Sequence, residues 1–256
     1  MGSLILTFGD TYNRVSDFLG TGATPTGTPL TDAQDIVHRG YRQFLYPINP
    51  KTGKTHLWSF LKTEAMIITQ EGVLEYELPD DFGYFWYPPK YDSDVNRPNP
   101  QPTSVARLRA LLSIDSSNTY PQLFSITADR YDPLTGQRYK LMFYPTPDSN
   151  YTFRYGYIIE PVKLVNSTDL FIGGTRSSEA ILEYSLAVAE QQEDDTIGIH
   201  TQLAAKLTVE LINADLKNTP DSLGTMNLSG LTLDNPALAR EMRIHPQQTE
   251  VYGVTL

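Results

Sequence analysis

Four histidines, a few paired acids and one glycine pair are the residues whose types could do chemistry. His38, His56, His200 and His245 lie far apart, and none shows the His-Glu-x-x-His spacing that sets two imidazoles on one helix face for a metal. Each reads as a surface or helix-face residue. The chain has no cysteine, which removes disulfides, thiolate metal sites and a cysteine nucleophile. Asp80-Asp81 and Asp194-Asp195 are adjacent acids, and glycoside hydrolysis needs two carboxylates flanking one bond. Adjacency in sequence gives no such geometry, and a strand-end turn accounts for Asp80-Asp81. Gly173-Gly174 precedes a helical stretch, where backbone N–H groups can hold an anion, but the pair reads as a hinge. No Gly-x-Ser-x-Gly elbow and no phosphate loop occur. The reading is of a protein that is not an enzyme, with no catalytic residue, metal or cofactor.

The elements that would position these residues change period along the chain. Residues 7–19 carry Tyr12, Val15, Phe18 and Leu19 at helical spacing. Thr31, with Gln34 three residues on, predicts the cap of a second helix bearing the stripe Ile36, Val37, Gly40, Tyr41, Phe44 and Leu45, ended by Pro47. An aromatic plug follows, Trp58-Ser59-Phe60-Leu61. Residues 64–78 alternate as strands do and predict a hairpin turning near Gln70-Glu71-Gly72. Residues 83–104 hold five prolines and the run Tyr84-Phe85-Trp86-Tyr87. They read as an exposed arm whose aromatics make contacts. A short helix is expected over 105–112. Strands are expected over 122–130, 138–144 and 151–159, paired antiparallel in sequence order. Ser178 predicts the cap of a helix with Ile181, Leu182, Leu186, Val188 and Ala189 on its buried face. Asp194-Asp195 interrupts it, and Thr196 caps a last helix striped by Ile199, Leu203, Leu207, Leu211 and Ile212.

The expected fold class is α+β: a helical bundle formed by N-terminal and C-terminal helices, with an inserted antiparallel β-domain and an extended C-terminal tail. The divisions are 1–63 and 173–217 for the helices, 64–172 for the β-domain with its arm 83–104, and 218–256 for the tail. The tail mixes polar residues with Leu223, Leu228, Leu231, Leu233 and Tyr252 and reads as a docking segment ordered by a partner.

A formal charge of -10 and a sequence pI near 4.8 exclude wrapping the outside of DNA, which needs Lys and Arg to displace counterions. The balance suits a pore through which DNA slides, and equally a merely soluble protein. Met1-Gly2-Ser3-Leu4-Ile5-Leu6 lacks a basic region and fails the myristoylation pattern at Leu6. No apolar run reaches membrane-spanning length, so no membrane partner is expected.

Three segments together resemble the head-to-tail adaptor (connector) family of tailed bacteriophages, in particular the tail tubular protein A-like adaptors. They are the helices followed by His56-Leu57-Trp58-Ser59-Phe60-Leu61; the run Tyr76-Glu77-Leu78-Pro79-Asp80-Asp81-Phe82; and Phe143-Tyr144-Pro145-Thr146-Pro147 with Tyr155-Gly156-Tyr157, then two closing helices. In these motifs Trp58, Phe60, Tyr76, Pro79 and Phe82 read as packing anchors, with Trp58 and Phe82 locking the β-domain onto the bundle. The resemblance implies a virion protein of the neck, assembled in the host cytoplasm, in a homo-oligomeric ring of about twelve copies. It implies a portal protein above, a tail or nozzle protein below and double-stranded DNA passing through without specific binding. On that reading Glu190, Glu193, Asp194 and Asp195 are candidates for the channel wall, and the tail grips the portal or a neighbour. The alternatives are another tail or fibre component with a carbohydrate-binding β-sandwich, using Trp86 and its neighbours, and a hydrolase using paired carboxylates.

Overall fold

A computed structural model of the chain describes residues 4–49, 52–92, 97–115, 117–132, 136–194 and 198–218. Among them the fold is α+β, with five helices and two sheets rich in antiparallel pairs. Helix α1 (Phe8–Phe18) opens on a capping box: Asp10 N–H donates to Thr7 Oγ1 at 3.0 Å, and Thr7 N–H donates to Asp10 Oδ2 at 3.0 Å. Helix α2 (Thr28–Leu45) starts ahead of the expected cap Thr31. Its N-cap is Gly27, at φ 63°, with Pro29 in the first turn, where proline's fixed φ and missing N–H suit a helix start. Helix α4 (Thr175–Asp194) likewise begins before the expected cap Ser178, directly after Gly173 and Gly174 at φ 99° and 85°. Ser178 lies in its first turn, donating to the Thr175 carbonyl at 2.7 Å and accepting from Leu6 N–H at 3.2 Å. Helix α3 (Val105–Ile114) is capped by Ser104, and α5 spans Ile199–Asn218. Residues through Asp215 form one compact unit, and residues 216–218 begin a second.

One core gathers Phe8 from α1, Val37 and Phe44 from α2, Trp58, Ile181 and Val188 from α4, and Ile212 from α5. The expected stripe of α5 is only partly buried. Ala204, Thr208 and Ile212 form its buried row, Leu207 and Leu211 pack beside it, and Ile199 and Leu203 are exposed.

The strands divide differently from the expectation. One sheet has the order β1 (Lys62–Ile68), β7 (Thr152–Ile159), β3 (Phe82–Tyr91). The other has β2 (Glu75–Glu77), β6 (Gly136–Tyr144), β5 (Leu123–Asp132) and β4 (Gln101–Pro102), with β4 and β5 parallel. The expected 64–78 hairpin is therefore absent. A turn does form, with Val73 N–H donating to the Gln70 carbonyl at 3.2 Å and Gly72 at φ 76°, but β1 and β2 leave it for different sheets. Strands β6 and β7 part in the same way across Pro145 and Pro147, while β5 and β6 do pair antiparallel.

The arm expected over 83–104 begins instead as strand β3. Pro88 and Pro89 fit because β3 is an edge strand whose register against β7 slips three times, between Phe82 and Tyr84, Phe85 and Tyr87, and Tyr87 and Lys90. Edge position and bulges are the two places where a strand tolerates missing donors.

A second core lies among these strands and includes Phe82, Phe124, Leu141, Phe143, Phe153 and Tyr155. Strand β7 joins the two cores. Phe153, Tyr155 and Tyr157 belong to the strand core, and Ile158, one residue on and on the opposite face, belongs to the helical core. Trp58 and Phe82 thus anchor separate cores, and Ile158 occupies the place between sheet and helices that those two were expected to fill.

Candidate functional site

The plug after α2 is held by hydrogen bonds as well as by area. Trp58 is 1% exposed. Its ring stacks on Phe44 at 5.0 Å and on Phe60 at 5.4 Å, with His56 edge-on at 4.8 Å. Its Nε1–H donates to the Phe44 carbonyl at 2.9 Å, satisfying one of the carbonyls that the end of α2 leaves open. Asp215, near the end of α5, faces the plug from the other end of the chain. Its carboxylate is bonded to His56 Nε2 at 2.9 Å, accepts from Ser59 N–H at 3.1 Å, and also accepts from the Ser59 hydroxyl. His56 is buried, not on the surface as its sequence context suggested, and its role is to tie the plug to α5. His38 Nε2 is bonded to the Leu164 carbonyl at 3.0 Å, and His200 Nδ1 to Glu183 at 2.8 Å. His245 lies outside the described residues.

The run from Tyr76 to Phe82 closes the turn and crosses between sheets. Tyr76 OH donates to the Val73 carbonyl at 2.8 Å and accepts from Gln70 N–H at 3.0 Å. The Pro79 carbonyl accepts from Phe82 N–H at 3.0 Å, after Leu78 N–H makes a last bond to the Tyr139 carbonyl. Phe82 then stacks on Tyr157 at 5.6 Å. The two carboxylates of the adjacent acids diverge. Asp80 pairs with Arg138 at the surface, while Asp81 accepts from Tyr157 OH at 3.0 Å. Burial, reinforced by Asp81, pushes the Tyr157 hydroxyl up to about 12. These acids tie different elements together and do not form the opposed pair that glycoside hydrolysis requires.

Strand alternation splits the aromatic quartet. Phe85 packs against the strand core, edge-on to Phe82 at 5.0 Å. Tyr84 and Trp86 face outward, 55% and 43% exposed. Register makes Trp86 the extra residue of a bulge opposite Gly156. Its indole crosses β7 and donates to the Thr63 carbonyl on β1 at 3.1 Å. A Cβ on residue 156 would lie 2.3 Å from the indole nitrogen, so only glycine leaves room for this ring. Tyr87 stands edge-on to it at 4.5 Å, with Lys90 Nζ 5.5 Å from the Tyr87 centroid. Met66 and Ile68 on β1 are also exposed, so this sheet's outer side carries aromatic and apolar side chains around Arg154.

Of the four acids proposed for a channel wall, the side chains of Glu190 and Glu193 are described. Glu190 Oε1 accepts from Ile199 N–H at 3.1 Å, at the positive end of α5. Glu193 is exposed beside Asp32, Asp35 and Arg39 in a cleft of about 500 Å³. The Asp194 side chain and Asp195 lie outside the described residues, as do Thr196 and the tail residues Leu223, Leu228, Leu231, Leu233 and Tyr252.

Sequence reasoning passed over a cleft of about 490 Å³ between α2 and residues 161–163, lined by His38, Arg39, Arg42 and Lys163. Its available signal was two arginines three apart on the polar side of α2. Among the described residues no group of three or more potential ligands is placed to hold a metal, and no helix is long and apolar enough to cross a membrane.

The family model for the SU10 adaptor protein matches residues 6–225, a span that takes in both cores. No curated protein matches the chain.

Proposed function

The chain belongs to the SU10 adaptor protein family, and from that premise we propose that it forms a ring joining the portal to the tail. As a member of that family it is a structural phage adaptor and a virion component, of a family not known for enzymes. In the proposed ring, of about twelve copies in the manner of the tail tubular protein A-like adaptors, contacts between copies are heterologous and the rotation between neighbours closes. The portal sits above, a tail or nozzle protein below, and DNA passes through without specific binding.

The observation that carries this reading is the family match over 6–225. The outward face bearing Tyr84, Trp86, Met66 and Ile68 supports it, because exposed apolar groups gathered on one sheet are a contact surface in search of a neighbour. The tail segment from Leu223 to Tyr252 docks on the portal or on a neighbouring copy and folds as it does so.

Phage grown without this chain tests the proposal. The expected product is heads that package DNA but carry no tails, with wild-type virions containing several copies per particle by quantitative mass spectrometry. Complete tailed virions lacking the chain would contradict it.

A further inference from the structure

The cleft between α2 and residues 161–163 gathers three cations on an acidic chain. Arg39 and Arg42 rise from α2, and Lys163 faces them from the segment after β7. All three are exposed, and none has an ion-pair partner among the described residues. One acid, Asp35, lines the same cleft, while Arg39 also borders the neighbouring cleft that holds Asp32 and Glu193, so Arg42 and Lys163 are the cations committed to this cleft alone. Below them Tyr41 and Leu45 are buried. The wall is apolar as well, with Pro161 and the 75% exposed Val162. His38 completes the lining. Its Nε2 is bonded to the Leu164 carbonyl, and its Nδ1 is buried without a hydrogen-bond partner. Among the described residues that ring nitrogen is a buried polar atom with no partner, and the cations beside it are met by solvent alone.

We infer that this cleft seats a carboxylate-bearing segment of a partner polypeptide, its acids on Arg39, Arg42 and Lys163 and its apolar atoms against Val162 and Leu45. Guanidinium groups suit this because each can grip a carboxylate in a two-pronged geometry. Charge complementarity favours a polypeptide over nucleic acid. Three cations on a chain of net charge -10 cannot supply the counterion release that duplex DNA demands, and a concave, partly apolar cleft does not match a convex row of phosphates. The inference stands on the cleft alone and does not require the ring.

A fluorescent octaglutamate peptide titrated against the full chain at low ionic strength tests it, read by anisotropy. The expected result is saturable binding that weakens with salt. It weakens about tenfold or more in Arg39→Glu/Arg42→Glu and, separately, in Lys163→Glu, which lies on another segment. Arg39→Gln/Arg42→Gln gives a smaller loss in the same direction, and circular dichroism checks that each variant is folded. Arg176→Glu, at the start of α4, leaves binding unchanged. No binding by the wild type, or binding indifferent to these substitutions, overturns the inference. So does duplex DNA of about 20 base pairs binding as tightly as the peptide and responding to the same changes, since the cleft would then be a phosphate site.

Discussion

Gly40→Ala should separate the two halves of the helical core. Gly40 lies in the middle of α2, where it faces Ser185 on α4. A methyl group there would lie 2.6 Å from the Ser185 amide nitrogen, 2.7 Å from its Oγ and 2.8 Å from its Cα. Comfortable carbon contacts are about 3.5–4.0 Å, so the helices must move apart by roughly 1 Å. That disturbs Tyr41 and Phe44 on one side and Ile181 and Val188 on the other, all buried. Overpacking of this kind costs about 1–3 kcal/mol. Replacing a mid-helix glycine by alanine returns about 0.5–1 kcal/mol through backbone entropy. The net expectation is a loss of about 1–2 kcal/mol, seen as a lower urea midpoint with an unchanged slope. Gln43→Ala, exposed on the same helix, should move the midpoint little. Ser185→Ala should not rescue Gly40→Ala, because the amide nitrogen and Cα of residue 185 remain in the way. A Gly40→Ala protein as stable as the wild type, or more so, would refute the claim that α2 and α4 meet at backbone contact.

Asp215→Ala leaves the buried His56 and the Ser59 amide and hydroxyl without their shared acceptor. A loss of about 2–3 kcal/mol in urea unfolding is expected, and Asp215→Asn should lose less. His38 is held below the ordinary histidine range, chiefly by burial and also by Lys163 and Arg42, against the Leu164 carbonyl and Asp35. Its unfolded form therefore takes up a proton first as pH falls. Stability should decline from about pH 6.5 downward until the folded form also protonates, and His38→Gln should flatten that decline in urea midpoints measured across this range. Trp86→Ala removes an outward ring and its bond to Thr63. The isolated chain should still fold, by circular dichroism, while incorporation into virions falls if the outer sheet face meets a neighbour. Retained incorporation together with lost binding of host polysaccharide would favour a sugar-binding platform instead.

Helices were legible because their periodicity is local. The stripe from Ile36 to Leu45 and the plug at Trp58 are written in adjacent residues, and both lie in one core. Pairing of strands was less legible because it is decided by partners far away. The alternation over 64–78 was real, yet nothing within that segment says that β1 will pair with residues 152–158 and β2 with 140–142. Prolines misled in β3, since whether a missing donor matters depends on which edge of the strand is free. Similarly, the position of Glu190 at the start of α5 and the gathering of Arg39, Arg42 and Lys163 in one cleft are products of tertiary packing. Neither can be read from spacing along one helix.

The most direct measurement is electron cryomicroscopy of intact virions with the chain traced in the density. The account predicts a closed ring of copies between portal and tail, with the Trp86 face of one copy against its neighbour and a central passage occupied by DNA. Density for the chain elsewhere in the particle, or as isolated copies around no passage, would contradict it.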